Sequence, residues 1–364
     1  MQLHIGFIGL GLIGGSIAKA LRRYYPDAVL TAYTRTAERA AEAVREGILN
    51  DVLTDRDPRF SECDYIFLCA PVETNITYLP FLKEVIKPSC TVTDVGSVKG
   101  CMAKAAERCG LQKQFIGGHP MAGSEKTGYA SSSDVLLENA YYIITPGPDS
   151  DPRRVQSYAG LVQSLKAIPI ILSPGDHDNN VAAISHLPHI IAASLVNTVA
   201  SLDHSSILKR LAAGGFKDIT RIASSSPEMW QQIATSNRSS ILEVLDRYID
   251  ELSSARALVD HGAPEALSGF FSSARNYRDS LPESQGRTDS SENLLYCDIY
   301  DEVGGIAVIT TLLAVHQINL QNVGVVHNRE YEEGVLRLEF YQRSVRDRAA
   351  ELLLEKGYHI YRRD

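Results

Sequence analysis

The feature that most constrains this chain is a glycine pattern close to its start. Residues 4–10, HIGFIGL, read as a buried strand, and Gly9-Leu10-Gly11-Leu12-Ile13-Gly14 is a G-x-G-x-x-G that leaves it and opens a helical pattern, IGGSIAKALRRYY. Strand, glycine turn and helix in that order form the first half of a dinucleotide-binding βαβ unit. Gly9 permits the tight turn, Gly11 lets a pyrophosphate reach backbone N–H groups, and Gly14 lets the helix pack on the strand. Leu12 and Ile13 begin the helix, whose N-terminus carries the partial positive charge that phosphates seek.

Such a turn needs a sheet around it, and the first 170 or so residues supply one. Further strand patterns run over 28–33 (AVLTAY), 65–70 (YIFLCA), 91–95 (TVTDV), 114–118 (QFIGG) and 140–145 (AYYIIT), with helical periods between them. That alternation predicts a parallel, doubly wound sheet. After residue 172 strand patterns stop and long helical periods take over. The fold class is therefore α/β: a Rossmann-like domain over 1–172 and an all-α domain over 173–278. A polar, turn-rich linker (279–292) and a C-terminal unit of βαββαβ order (293–364) complete the chain. The apolar helices of the second domain, VAAISHLPHIIAASLVNTVASL above all, are too hydrophobic to face water and require a partner.

Composition excludes several classes. The net charge of −8 argues against a general nucleic-acid binder. No apolar run reaches the roughly 18 residues of a membrane helix, and the N-terminus lacks the basic leader of a signal peptide. Cys63, Cys69, Cys90, Cys101, Cys109 and Cys297 form no CxxC pair and read as reduced thiols of a cytoplasmic protein.

The cofactor's identity turns on the end of the second strand. About twenty residues past the glycines, an NAD site commonly places a carboxylate on the ribose. Here the chain offers Thr34, Arg35 and Thr36, with Arg39 one helical turn beyond. Two hydroxyls and a guanidinium suit a 2′-phosphate, which favours NADP over NAD; an Arg35 stacked on adenine would serve either. Ala70 and Pro71, in LCAPVET (68–74), close a strand on the nicotinamide side and are expected to line the cofactor.

A nicotinamide enzyme that oxidises an alcohol must take a proton from oxygen as hydride leaves carbon, and histidine is the usual acceptor. His119 follows the strand QFIGG at the carboxyl end of the sheet, where ligands bind, and its neighbouring glycines would let substrate and nicotinamide come close. Ser97 follows the previous strand and could stand beside it. Taken alone, His119 is as readily an idle turn residue. His186 and His189, three apart on a helix, could suit a metal, but no motif places a third ligand and hydride transfer needs none; no metal is expected.

DVGSVKG, GGHPMAGSEKTGY, SHLPH (185–189) and GGFKDITRIASSSPEMW (214–230) stand in one order along the chain. In that order the four motifs resemble the prephenate and arogenate dehydrogenases of tyrosine biosynthesis. The resemblance implies oxidative decarboxylation of prephenate, or alternatively of arogenate. His119 would be the catalytic base and Ser97 would hydrogen-bond the same oxygen or the imidazole. It implies Arg221 as the clamp on a substrate carboxylate, with His189 and Ser185 at the side-chain end and Ser124 and Glu125 shaping the pocket. Trp230 is expected in helix packing. Family members interlock the second domain in a homodimer. The C-terminal unit resembles an ACT module, with Val303-Gly304 and Gly305 at the ligand turn and the next strand beginning at Ile318 and Asn319. L-tyrosine would be its inhibitor.

A β-hydroxyacid dehydrogenase would share the glycine start but would use a lysine on the interdomain helix, and no lysine lies between Lys166 and Lys209. A non-catalytic sensor of amino acids would have no need of His119, Ser97 and Arg221 together.

Overall fold

The computed structural model describes residues 2–123, 126–281, 293–299, 304–326 and 334–361. The chain forms two compact units, Met1–Gly286 and Arg287–Asp364.

The first unit opens with β1 (His4–Ile8), α1 (Leu12–Tyr24), β2 (Val29–Tyr33), α2 (Ala37–Arg45), β3 (Asp51–Val52), β4 (Tyr65–Leu68), α3 (Val72–Val85) and β5 (Thr91–Asp94). The five strands pair in parallel in the order β3-β2-β1-β4-β5. All four residues of β4 and all four of β5 are buried, as expected for strands covered on both faces. Two apolar clusters result. One contains Ile5, Phe7, Ile17, Leu21 and Tyr158, the other Ile8, Ile66, Leu68, Leu79 and Val92.

Next come α4 (Gly100–Arg108), β6 (Ile116–Pro120), β7 (Tyr141–Pro146), α5 (Pro152–Ser164) and β8 (Ile168–Ile171). A parallel bridge from Val92 to Phe115 leads the sheet on towards β6. The wholly parallel expectation fails here, because β7 runs antiparallel to β6 while β8 is parallel to β7. The residues described between β6 and β7 hold one short 3-10 turn, Tyr129–Ser131, and no crossover helix of the kind a parallel return requires. β8 is a strand that the sequence patterns do not include: IPII lies just before the change to helical periods. β6 also runs on through His119 and Pro120, so His119 lies in the strand, opposite Ile143, and not in a turn after it.

The helical part comprises α6 (Pro174–Val181), α7 (Leu187–Leu202), α8 (Ile207–Leu211), α9 (Gly214–Thr220), α10 (Pro227–Ser236), α11 (Arg238–His261) and α12 (Pro264–Asp279). One π-helical turn, Ala182–His186, joins α6 to α7. Pro188 explains it: its missing N–H and its ring disturb the regular ladder one turn upstream. The resulting helix, Pro174–Leu202, is by length and composition apolar enough to cross a membrane. A search for unbroken apolar runs passes over it because Ser185, His186, His189, Ser194 and Asn197 interrupt the run without charge.

The second unit has β9 (Leu294–Ile299), α13 (Gly305–Val315), β10 (Asn322–Val326), β11 (Gly334–Glu339), α14 (Arg343–Glu355) and β12 (Ile360–Tyr361). Its antiparallel sheet runs β10-β11-β9-β12, the split-βαβ plan read from sequence. Gly304 caps α13 in the left-handed region at φ 94°, and Gly305 begins the helix. β10 starts at Asn322 and not at Ile318: the Ile318 side chain is buried in the core with Leu313 and Leu336, whereas Asn319 is exposed. Val303 lies outside the described residues.

Candidate active site

The glycine turn builds its own side of the site. Gly9 has φ 95°, and a Cβ there would lie 2.8 Å from the Ala70 nitrogen, so the crossing from β1 to α1 passes too close to the end of β4 for any side chain. α1 begins at Gly11 with no side-chain cap and no acidic residue in its first turn, which leaves its N–H groups to an anion. A cavity of about 390 Å³ opens above it. Gly9, Gly11, Thr34, Arg35, Thr36, Ala70 and Pro71 line it, as do Tyr33 and Tyr78, which sequence reading missed. Leu12, Ile13 and Gly14 instead form the first turn of α1, where Gly14 packs on Cys69. Asn75, fully buried, donates to the carbonyls of Leu68 (3.2 Å) and Ala70 (2.8 Å) and accepts from the Ala70 N–H (3.1 Å), which fixes the turn that carries Pro71. The cradle fits a dinucleotide. The Arg39 side chain lies outside the described residues.

The proton-handling side is organised by a chain of hydrogen bonds that no motif announced. The Asp178 carboxylate accepts from the backbone N–H groups of Lys99 and Gly100, both at 2.8 Å. It also lies 2.8 Å from His177 Nδ1. Burial pushes the Asp178 carboxyl up, but the bond from His177 and the two backbone bonds outweigh it and hold it below its ordinary range. An ionised carboxylate only accepts, so the His177 proton sits on Nδ1 and its Nε2 is an acceptor. His119 Nδ1 stands 2.8 Å from that Nε2 and, with the His177 ring carrying its single proton on Nδ1, donates to it. His119 is left with an unprotonated Nε2. Burial first, then the proximity of His177, Lys99 and His186, holds His119 well below the usual histidine value, so the ring stays neutral at neutral pH.

The glycines before His119 do a different job from the one expected. A Cβ on Gly118 would sit 2.7 Å from both the Asp94 carbonyl and the Tyr158 hydroxyl. They let β6 press against β5 and the tyrosines, and do not clear space for a substrate. Ser97 lies half-buried in the turn between β5 and α4.

The helical part presents a second wall. His189 Nδ1 donates to the Ser185 carbonyl (2.9 Å) across the irregular turn, leaving its Nε2 as an acceptor. Ser185 thus meets His189 through its backbone. Burial lowers the proton affinity of His189, the bond to Ser185 opposes this, and the Arg221 charge lowers it further. Arg221 opens the 3-10 turn Arg221–Ser224, which follows α9. Trp230 stacks on His189 with ring centroids 3.7 Å apart and meets His186 edge-on at 5.9 Å. The two rings help line an apolar cavity of about 430 Å³, together with Ala223, Ser225 and Ile190. The buried indole N–H of Trp230 finds no acceptor among the described residues. His186 accepts on Nδ1 from Asn237 (3.2 Å), whose amide also donates to the Asp178 carbonyl (2.8 Å). Ser124 and Glu125 lie outside the described residues.

These features put the molecule among the NAD(P)-dependent dehydrogenases built on a doubly wound sheet. Two family models match: the prephenate dehydrogenase nucleotide-binding domain over residues 17–182 and the prephenate dehydrogenase dimerization domain over 173–273. The prephenate dehydrogenase of Bacillus subtilis is 38% identical over 97% of this chain and 96% of its own length. Among solved structures, Aquifex aeolicus prephenate dehydrogenase in complex with hydroxyphenyl propionate and NAD+ matches with TM-score 0.73 and 32% identity. That match covers 78% of this chain and 99% of the other. Synechocystis arogenate dehydrogenase matches with TM-score 0.70 and 31% identity, over 76% and 99%. The chain belongs to the prephenate dehydrogenase family.

Proposed function

We propose that the chain catalyses the NAD(P)-dependent oxidative decarboxylation of prephenate to 4-hydroxyphenylpyruvate. The observation that carries the roles is the hydrogen-bond chain Asp178–His177–His119, which leaves His119 Nε2 as a free proton acceptor. Gly9, Gly11, Thr34, Arg35, Ala70 and Pro71 would hold the nicotinamide dinucleotide, which would supply the acceptor for the hydride leaving C4 of the substrate ring. His119 Nε2 takes the proton of the C4 hydroxyl, and the positive charge that forms on its ring is stabilised through His177 by the Asp178 carboxylate. Ser97 hydrogen-bonds the same oxygen. As the ring carboxylate leaves as CO₂, its bonding electron pair closes the aromatic ring, and the new phenolate oxygen recovers a proton. Arg221 offers a planar, two-pronged donor to a substrate carboxylate. His189, held by the Ser185 carbonyl, serves the side-chain end of the substrate.

Thr34, Arg35 and Thr36 on the cavity rim, with no carboxylate among the lining residues, support NADP over NAD. The match to a dimerization domain and the open apolar face of the long helix support a homodimer, and the likeness to a biosynthetic enzyme supports placing it in the cytoplasm. The βαββαβ unit, with Gly304 and Gly305 at its first helix, is read as an ACT module that binds L-tyrosine as an inhibitor. Arogenate is the second substrate reading, favoured by the likeness to an arogenate dehydrogenase.

His119→Asn tests the assignment. It should lower turnover of prephenate by about 10²- to 10⁴-fold while NAD(P) affinity and the melting temperature hold. Parent-level turnover of prephenate and arogenate by that variant would remove the assignment. The same assay with both substrates, both cofactors and added tyrosine ranks the remaining choices.

A further inference from the structure

Lys99 is the most fully buried cation among the described residues, at 1% exposure, and nothing in the reaction as written uses it. Its ammonium meets the Asp94 carboxylate, itself wholly buried, and donates to the Gly118 carbonyl at 2.6 Å. Asp94 in turn accepts from the Gly96 N–H (3.0 Å), in the turn that carries Ser97. The backbone N–H of Lys99 holds Asp178, which sets the tautomer of His177 and through it that of His119. Three elements therefore meet on one residue: the peptide that precedes His119, the Ser97 turn, and the carboxylate behind the histidine pair.

We propose that Lys99, paired with Asp94, is a positioning residue for hydride transfer, locking the His119 strand to the Ser97 turn and keeping His119 in its proton-accepting form. A hydrophobic side chain of similar length could fill the space but could not donate to the Gly118 carbonyl, so β6 and the Ser97 turn would lose their common tether. A buried cation this close also opposes a second positive charge on the imidazole. Around His119, the titratable groups among the described residues are His177 and Asp178 from α6, His186 from the π-helical turn, Lys99 from the turn before α4, and Asp94 from β5. The proposal rests on His119 being the proton acceptor.

The test is the pH dependence of kcat and kcat/KM for prephenate in the full-length enzyme. Lys99→Met strands a buried carboxylate, so Asp94→Asn/Lys99→Met is made beside it as the charge-balanced variant. Both should bind NAD+ as the parent does and lose roughly 100-fold in kcat through misplacement of the acceptor; the acid limb should move to higher pH in Lys99→Met and stay near the parent's in the double variant, which removes the Asp94 charge together with the cation. An acid limb that stays at the parent's pH in folded Lys99→Met that binds NAD+ normally overturns the proposal whatever its kcat, since a merely structural lysine would lower kcat without moving the limb; parent-level kcat in the double variant overturns it as well. His119→Asn serves as the control: its acid limb should vanish, and persistence there would refute the role of His119 itself.

Discussion

The sheet of the first unit and the helices that follow it differ in how much of themselves they can hide. Both large apolar clusters of this unit draw all their fully buried members from residues before Pro174. α7 buries one residue, Ala192, and α11 one, Ile241, while α9 and α12 bury none. Val259, Phe271 and Tyr277 stand about two-thirds exposed. A sheet covered on both faces completes its own core within one chain. The long helices form a surface that another surface must cover, and the family match names that region a dimerization domain. The dinucleotide cradle and His119 thus stand on the self-sufficient half, while His177, Asp178, His189, Trp230 and Arg221 stand on the helical half that needs a partner.

The harshest way to break this contrast is to charge the open face. Ile249→Glu with Leu252→Glu on α11, both half exposed, should leave a monomer by sedimentation and abolish most turnover, although neither residue is near His119 in the chain. An unchanged dimer with full activity would show that another surface makes the interface. Phe67→Ala, in the middle of β4, should do the reverse. It should cost about 3–5 kcal/mol of unfolding free energy, measured by denaturant titration, and leave the subunit count alone.

Acid should act where the two halves meet. Burial holds His119 well below the ordinary histidine value, lowers His186 to about 4, and lowers His189. All three protonate more readily in the unfolded chain, near pH 6.5. The unfolded state therefore binds more protons as pH falls from about 6.5 towards 4, and stability is lost across that window. Melting temperatures between pH 7.5 and 4.5 should trace the loss, and His186→Gln should make it shallower. The smallest effect belongs to the cofactor rim: Arg35→Ala should weaken NADP by about tenfold, roughly one charge-assisted contact, and leave NAD nearly unchanged. Equal losses for both cofactors would assign Arg35 to the adenine.

Much of this was legible because local chemistry dictated it. The strand-glycine-helix turn at Gly9–Gly14 could be read from spacing alone, since the backbone there admits nothing but glycine at the crossing. The βαββαβ order of the last unit was equally plain, because each element carries its own period. The reversal of β7 was not, for strand direction depends on how the chain returns and not on what the strand contains. Nor was the start of β10, where Ile318, an apolar residue that resembles a strand opener, proves to be a core plug.

His119 shows the division most clearly. Its sequence neighbours marked a histidine at the carboxyl end of the sheet, and the glycines ahead of it seemed to make room for a ligand. Their close approach to Asp94 and Tyr158 shows instead that they make room for β5. What makes the imidazole an acceptor comes from His177 and Asp178, about sixty residues further on in DHDNN, a stretch that reads as an ordinary helix start. Lys99 stands in DVGSVKG with no visible task there, because a lysine shows its charge in sequence and its burial only in space. The sequence by itself determined the cofactor turn, the order of elements and the kinds of chemistry on offer. The tertiary structure decided which nitrogen is free to take a proton, since a tautomer is set by partners that only folding brings within hydrogen-bond reach.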